Sequence, residues 1–249
     1  MSEQTRDSLM TRIAKITVKS VGYLLVFGTI LFFIWRAFFS TAVPAEVKSL
    51  SANPALKTAY EAALADGKEV TVFYQESQYD TTTVRDKNYS YFSAKESRFI
   101  VEANQVQLLF RYNNATIRRL VEDYGLEKLP DRSAELYDVT LYVAYDLTPD
   151  DITDNAGNDP ESVKFVRYHA TSSTPATSLL YNYRRLTFDG VDMTVTDNPV
   201  LAVYVDVYYL GDVNYEADPY GTICIYDYLG KNTYETLDKK EIAALADMP

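Results

Sequence analysis

Leu136–Asp146 reads LYDVTLYVAYD, and its alternation decides the fold. Tyr137, Val139, Leu141, Val143 and Tyr145 fall on one face at a period of two, with Asp138, Thr140 and Tyr142 on the other. That is the pattern of a strand with one face against a core. Leu201–Tyr209, LAVYVDVYY, repeats it, with Leu201, Val203, Val205, Val207 and Tyr209 on one face. Val163–His169 and Leu179–Phe188 read as strands between these two, and Thr222–Tyr228 as one after them. Turn residues separate the runs at Pro149–Pro160, Ser172–Thr177, Asp189-Gly190, Asp197-Asn198-Pro199 and Asp218-Pro219-Tyr220-Gly221. Short strands at this spacing predict a mainly β fold, an antiparallel β-sandwich with two or three short peripheral helices.

Upstream, Lys68–Gln75 is rich in β-branched and aromatic residues and reads as the first strand, and the polar Ser77–Asn88 as a loop. Arg98–Glu102 and Gln105–Tyr112 predict a hairpin around Ala103-Asn104, with Val106, Leu108, Phe110 and Tyr112 on one face and Gln107 and Arg111 on the other. Three helices decorate the strands. The first is capped by Asn53-Pro54, docks through Leu56, Tyr60 and Leu64, and stops at Gly67. The second is capped by Asn114, carries Ile117, Leu120, Val121 and Tyr124, and stops at Gly125. The third covers Leu237–Ala246.

Before all of this stands Val21–Phe39, VGYLLVFGTILFFIWRAFF, uncharged as far as Trp35. As a helix it is about 28 Å long, the thickness of a bilayer's hydrocarbon core. Arg36, one turn from the end, can return its guanidinium to the interface. Arg6, Arg12, Lys15 and Lys19 precede the run against only Glu3 and Asp7, which puts the N-terminus in the cytoplasm. Ser40-Thr41-Ala42 also offers small residues spaced for signal-peptide cleavage, but the length of the run and Arg36 favour a retained anchor. The expected organisation is a basic tail over residues 1–20, a membrane span over 21–39, a linker over 40–52 and an extracytoplasmic domain over 53–249.

Five of the 24 basic and two of the 35 acidic residues lie before residue 45, so the remainder carries 19 against 33, a net charge of −14. Such a surface repels phosphate backbones and excludes nucleic acid as a partner. One cysteine, Cys224, permits no internal disulfide and favours a bacterial envelope over a eukaryotic secreted protein, although Asn88-Tyr89-Ser90 and Asn114-Ala115-Thr116 are glycosylation sequons. Several segments, Phe110-Arg111-Tyr112-Asn113-Asn114, Tyr137-Asp138-Val139-Thr140-Leu141, Tyr181-Asn182-Tyr183-Arg184-Arg185, Phe188-Asp189-Gly190-Val191 and Asp218-Pro219-Tyr220-Gly221-Thr222, resemble a family of uncharacterised membrane-anchored proteins of Gram-positive, clostridial-type bacteria. The resemblance implies a bacterial envelope protein; with no activity assigned to that family, it implies no functional residue.

A single histidine and a single cysteine leave no ligand set for zinc and little for nucleophilic catalysis, and no phosphate-cradling glycine loop occurs. His169 reads as a strand histidine and Cys224, between Ile223 and Ile225, as an inert core thiol. No cofactor is expected. The loop Asp146–Glu161 is the richest candidate for calcium, through Asp150, Asp151, Asp154 and Asp159, against the alternative of a solvated acidic turn. Twenty-two tyrosines are the other feature. Tyr142, Tyr204 and Tyr208 share the second face of their strands, with Tyr183 adjoining, and such rings either stack on sugars and anchor partners or pack beneath other elements. The sequence therefore predicts a non-enzymatic binding or scaffold module at the cell membrane, contacting envelope proteins or cell-wall glycan; the alternative is a carboxylate-dependent glycan hydrolase. The topology has a direct check. An epitope tag after Pro249 should be stained on intact protoplasts and one before Met1 only after permeabilisation; the reverse pattern contradicts the assigned direction.

Overall fold

The structure is a computed structural model that describes residues 3–40, 42–75, 92–132, 134–146, 163–194 and 199–248, with side chains of the first helix described from Ala14 to Arg36. The expected loop Ser77–Asn88 and the calcium candidates Asp150, Asp151, Asp154 and Asp159 lie outside the described residues. Two compact units divide the chain, one ending at Ala42 and one beginning at Val43.

The first unit is a helix, α1 (Glu3–Ser40). Its Ala14–Arg36 stretch is long and apolar enough to cross a membrane. Apolar side chains point to all sides of it and are exposed, the distribution of a helix whose solvent is lipid. Thr29 donates its hydroxyl to the Leu25 carbonyl at 2.8 Å, so this polar group is satisfied within the helix.

Among the described residues the second unit holds ten strands in two antiparallel sheets and three further α-helices. In chain order these are α2 (Pro54–Ala65), β1 (Thr71–Gln75), β2 (Phe92–Ile100), β3 (Gln105–Asn113), α3 (Asn114–Tyr124), β4 (Tyr137–Asp146), β5 (Val163–His169), β6 (Ser172–Thr177), β7 (Tyr181–Asp189), β8 (Val200–Tyr209), β9 (Gly221–Asp227), β10 (Asn232–Thr236) and α4 (Lys239–Ala246). One sheet has the order β10-β1-β2-β3-β7-β6 and the other β5-β4-β8-β9. Alternate residues of β4 and β8 (Val139, Leu141, Val143, Val203, Val205, Val207) meet Phe99, Val106, Leu108, Phe110, Leu186 and Phe188 from the six-stranded sheet in a single buried core. The expected antiparallel sandwich with peripheral helices is the fold.

Two strands escape the sequence pattern. Ser172–Thr177, expected as a turn, is β6, an edge strand paired with β7 from Ser172–Thr187 to Thr177–Asn182. Its Pro175 is tolerated because an edge strand has a side that needs no ladder donor. The five residues NTYET form β10 on the opposite edge, paired with β1. Two local details shift as well. Asn113, not Asn114, caps α3, its side chain accepting from the Thr116 amide at 3.0 Å. On α2 the docked stripe is Leu56, Ala59 and Ala63, with Tyr60 beside it, while Leu64 is 62% exposed. Alanines on that face let the helix approach the sheet closely.

The inner strands of the six-stranded sheet are buried on both faces. Over β1 and β2 its outer face is covered by α2 and α4, through Leu50, Leu56, Ala63, Val72, Ile100, Leu237 and Leu245. Over β3 and β7 it is covered by the chain from Val43 to Asn53, a stretch expected as linker. Val47 is fully buried there with Leu109 and Tyr183. Hence Tyr183 belongs to this face and does not adjoin Tyr142, Tyr204 and Tyr208. Gln107, from the face expected to be polar, is also fully buried. Its side-chain amide accepts from the Ser51 amide at 2.7 Å and donates to the Ser51 carbonyl at 2.9 Å, imitating a strand partner. Gln105 and Asn53 exchange amide hydrogen bonds at 3.0 and 3.1 Å.

Arg185 closes this contact. Its side chain is wholly buried, with Nε and Nη2 donating to the Val47 carbonyl at 3.2 and 2.9 Å, Nη2 also to the Lys48 carbonyl at 3.1 Å, and Nη1 to Glu96 at 3.2 Å. Burial lowers its pKa, and the neighbouring Glu96 carboxylate opposes that shift. Removing the guanidinium would leave the Val47 and Lys48 carbonyls without their donor and Glu96 with Arg98 alone. Arg185→Ala should therefore cost about 3 kcal/mol or more in urea denaturation of the full chain in detergent. A loss under about 1 kcal/mol, the size of an exposed ion pair, would contradict this.

Candidate functional site

The site is built by the long connection between β8 and β9. Leu210 donates its amide to the Leu136 carbonyl at 2.9 Å, Asp212 closes a turn on Tyr209 at 3.0 Å, and Tyr220 rejoins the ladder on Val207 at 2.7 Å. Gly211 is needed where this turn begins: a Cβ there would stand 2.6 Å from the Tyr209 ring. Asn214 fastens the middle of the loop, its side chain accepting from the Glu216 amide at 3.0 Å. From this frame two tyrosines reach in opposite directions.

Tyr215 folds over the outer face of the four-stranded sheet. Its ring meets Tyr208 edge-on at 5.1 Å and His169 at 5.2 Å, and its hydroxyl donates to Asp138 at 2.6 Å. Burial and the Asp138 hydrogen bond push its pKa up to about 12. Beneath lies Arg167 of β5, donating to the Tyr215 carbonyl at 3.1 Å and the Tyr208 hydroxyl at 3.0 Å. Its guanidinium carbon stands 4.9 to 5.4 Å from the ring centres of Tyr142, Tyr208 and Tyr215, within cation–π range. Asp206 is the buried anion of this group, 3.9 Å from Arg167 and accepting from the Thr222 hydroxyl at 2.8 Å.

Tyr220 reaches the other way, into the end of the core. Its ring lies parallel to Tyr137 and edge-on to Phe92 and Tyr124, and its hydroxyl donates to Asp123 of α3 at 2.7 Å. Between α3, the end of β8 and the loop this leaves a pocket of about 580 Å³. Tyr124, Tyr209 and Tyr220 contribute aromatic wall, Tyr208 also borders it, and Arg119, Asp123, Asp212 and Asp218 contribute charge. Arg119 is engaged with Glu122 at 3.6 Å and Asp123 at 3.4 Å. Asp212 and Asp218 make no side-chain hydrogen bond or ion pair among the described residues. A second pocket of about 300 Å³, with Glu135, Asp138 and Ser173 in its wall, lies beside the start of β4.

The three tyrosines singled out in the sequence are thus divided. Tyr142 and Tyr204 are cross-strand partners on the outer face, both half-buried, with Tyr142 stacked on Phe165 at 4.8 Å. Tyr208 is buried under Tyr215 and forms part of the pocket wall. Cys224 pairs with Tyr204 on that outer face, not in the core between the sheets; burial raises its pKa and keeps the thiol protonated. Among the described residues no three His, Cys, Asp or Glu side chains converge as metal ligands. Sequence reading missed Arg167, Tyr215, Asp212 and Asp218. The available signal was the length of the β8–β9 connection, well beyond the two to five residues of an ordinary hairpin loop.

Fold and site define a class: a small antiparallel β-sandwich, preceded by a helix able to cross a membrane and carrying a tyrosine- and aspartate-walled pocket. No protein family, no curated protein and no solved structure matches the chain.

Asp206 yields a pH test. Desolvation raises its pKa, outweighing the Thr222 hydrogen bond and the Arg167 charge. The folded chain then takes up this proton at higher pH than the unfolded chain, whose aspartates titrate near about 3.9. Its contribution to stability is present below that value and is lost as pH rises through the raised one. Between pH 7 and pH 4 wild type should therefore gain stability relative to Asp206→Asn in urea denaturation. A difference that stays constant or shrinks contradicts the assignment.

Proposed function

We propose that this chain is a single-pass membrane protein of the bacterial envelope whose sandwich domain, outside the cytoplasm, binds cell-wall glycan in the pocket between α3 and the β8–β9 loop. The observation that carries this reading is the combination of the Tyr124, Tyr209 and Tyr220 rings with two unpaired aspartates around about 580 Å³, a volume usual for small-molecule sites. A sugar ring presents apolar C–H faces that stack on tyrosine and hydroxyls that donate to carboxylates. The basic residues Arg6, Arg12, Lys15 and Lys19 in the first half of α1 and the acidity of the remainder support the same placement. Asp123, Asp212 and Asp218 around one pocket also favour a second reading, the glycan hydrolase, which needs two opposed carboxyl groups.

The test uses the full chain in neutral detergent, titrated calorimetrically with muramidase-released wall fragments. Binding in the micromolar to millimolar range is expected, and Ala217→Trp, which fills the pocket from an exposed loop position, should abolish it without lowering the melting temperature. Undiminished binding by that variant would remove the pocket from the account. Recovery of intact fragments after prolonged incubation supports the binding module; shortened fragments would establish the hydrolase instead.

A further inference from the structure

We infer that the pocket selects glycan bearing free, protonated amines, that is, de-N-acetylated hexosamine. The inference rests on the glycan-binding reading and narrows it to a ligand class. Three carboxylates line the pocket against one guanidinium, and that guanidinium is already shared between Asp123 and Glu122. Asp123 receives the Tyr220 hydroxyl as well. Asp212 and Asp218 are left on the exposed loop with no ion pair among the described residues. A phosphate or carboxylate ligand would be repelled, and a neutral acetamide would leave both charges uncompensated. An ammonium group pairs with them and also gains from the faces of the flanking tyrosines. The −14 charge of residues 45–249 adds long-range attraction for such a ligand. The pocket volume and the spread of rings exceed what one alkylammonium chain would occupy, which favours an amino sugar over a simple amine.

The experiment compares glucosamine tetramer with its fully N-acetylated counterpart, titrated into the full chain in neutral detergent at low and at 0.5 M salt. At least tenfold tighter binding of the free-amine tetramer is expected at low salt, with the preference narrowing at high salt. Asp212→Asn/Asp218→Asn, which keeps shape and removes charge, should erase the preference by weakening the free-amine tetramer far more than the acetylated one. Glu61→Gln/Glu69→Gln, which removes equal charge outside the pocket, should leave it intact. Equal affinity for the two tetramers, or a preference surviving in the double asparagine variant, overturns the inference while leaving glycan binding standing. Equal loss in the Glu61/Glu69 variant also overturns it, since net charge alone would then explain the preference. Binding of neither tetramer defeats the inference and the glycan reading together.

Discussion

The interaction on which the rest depends is the burial of the Arg185 guanidinium against the carbonyls of Val47 and Lys48. A sheet with apolar residues on both faces needs cover on both. The four-stranded sheet supplies one cover for the six-stranded sheet; the chain from Val43 to Asn53 with α2 and α4 supplies the other. That second cover brings main-chain carbonyls onto a buried surface, where each needs a donor. Arg185 and Gln107 provide those donors, and Glu96 balances the buried charge.

The four-stranded sheet is arranged differently. Its inner face is largely aliphatic, but its outer face carries Tyr142, Tyr204, Asp206, Tyr208 and Arg167, and Arg167, Tyr208 and Asp138 hold Tyr215 down. Pinning the loop there on one side, and through Tyr220 in the core end on the other, fixes a connection that would otherwise be long and unsupported. The pocket is the space the pinned loop leaves beside α3. Its walls come from α3, the end of β8 and the pinned loop, so the fold places the Tyr124, Tyr209 and Tyr220 rings.

Much of this fold was legible. Period-two alternation identified β4 and β8 because each has one face against aliphatic residues and one against polar ones. Asn53 and Gly125 marked helix ends through local hydrogen bonding and positive φ, both properties of a few adjacent residues. What escaped depends on distant partners. Gln107 looks like a solvent residue until Ser51, 56 positions away, is laid against it. In SSTPAT and NTYET, edge position and a neighbouring strand impose extended structure that composition does not signal. At the site, the aromatic excess pointed to Tyr142, Tyr204 and Tyr208, but no periodicity links Tyr208 to Arg167 of another strand or to a covering Tyr215 from a loop.

The folded domain begins at Val43, with the stretch from Val43 to Asn53 packed on the six-stranded sheet. Amide hydrogen exchange of the full chain in nanodiscs tests it most directly. The Leu50 and Ser51 amides, which donate to Glu241 and Gln107, should be protected to the degree of the β3 amides. Exchange of both at the rate of unstructured peptide would contradict the account.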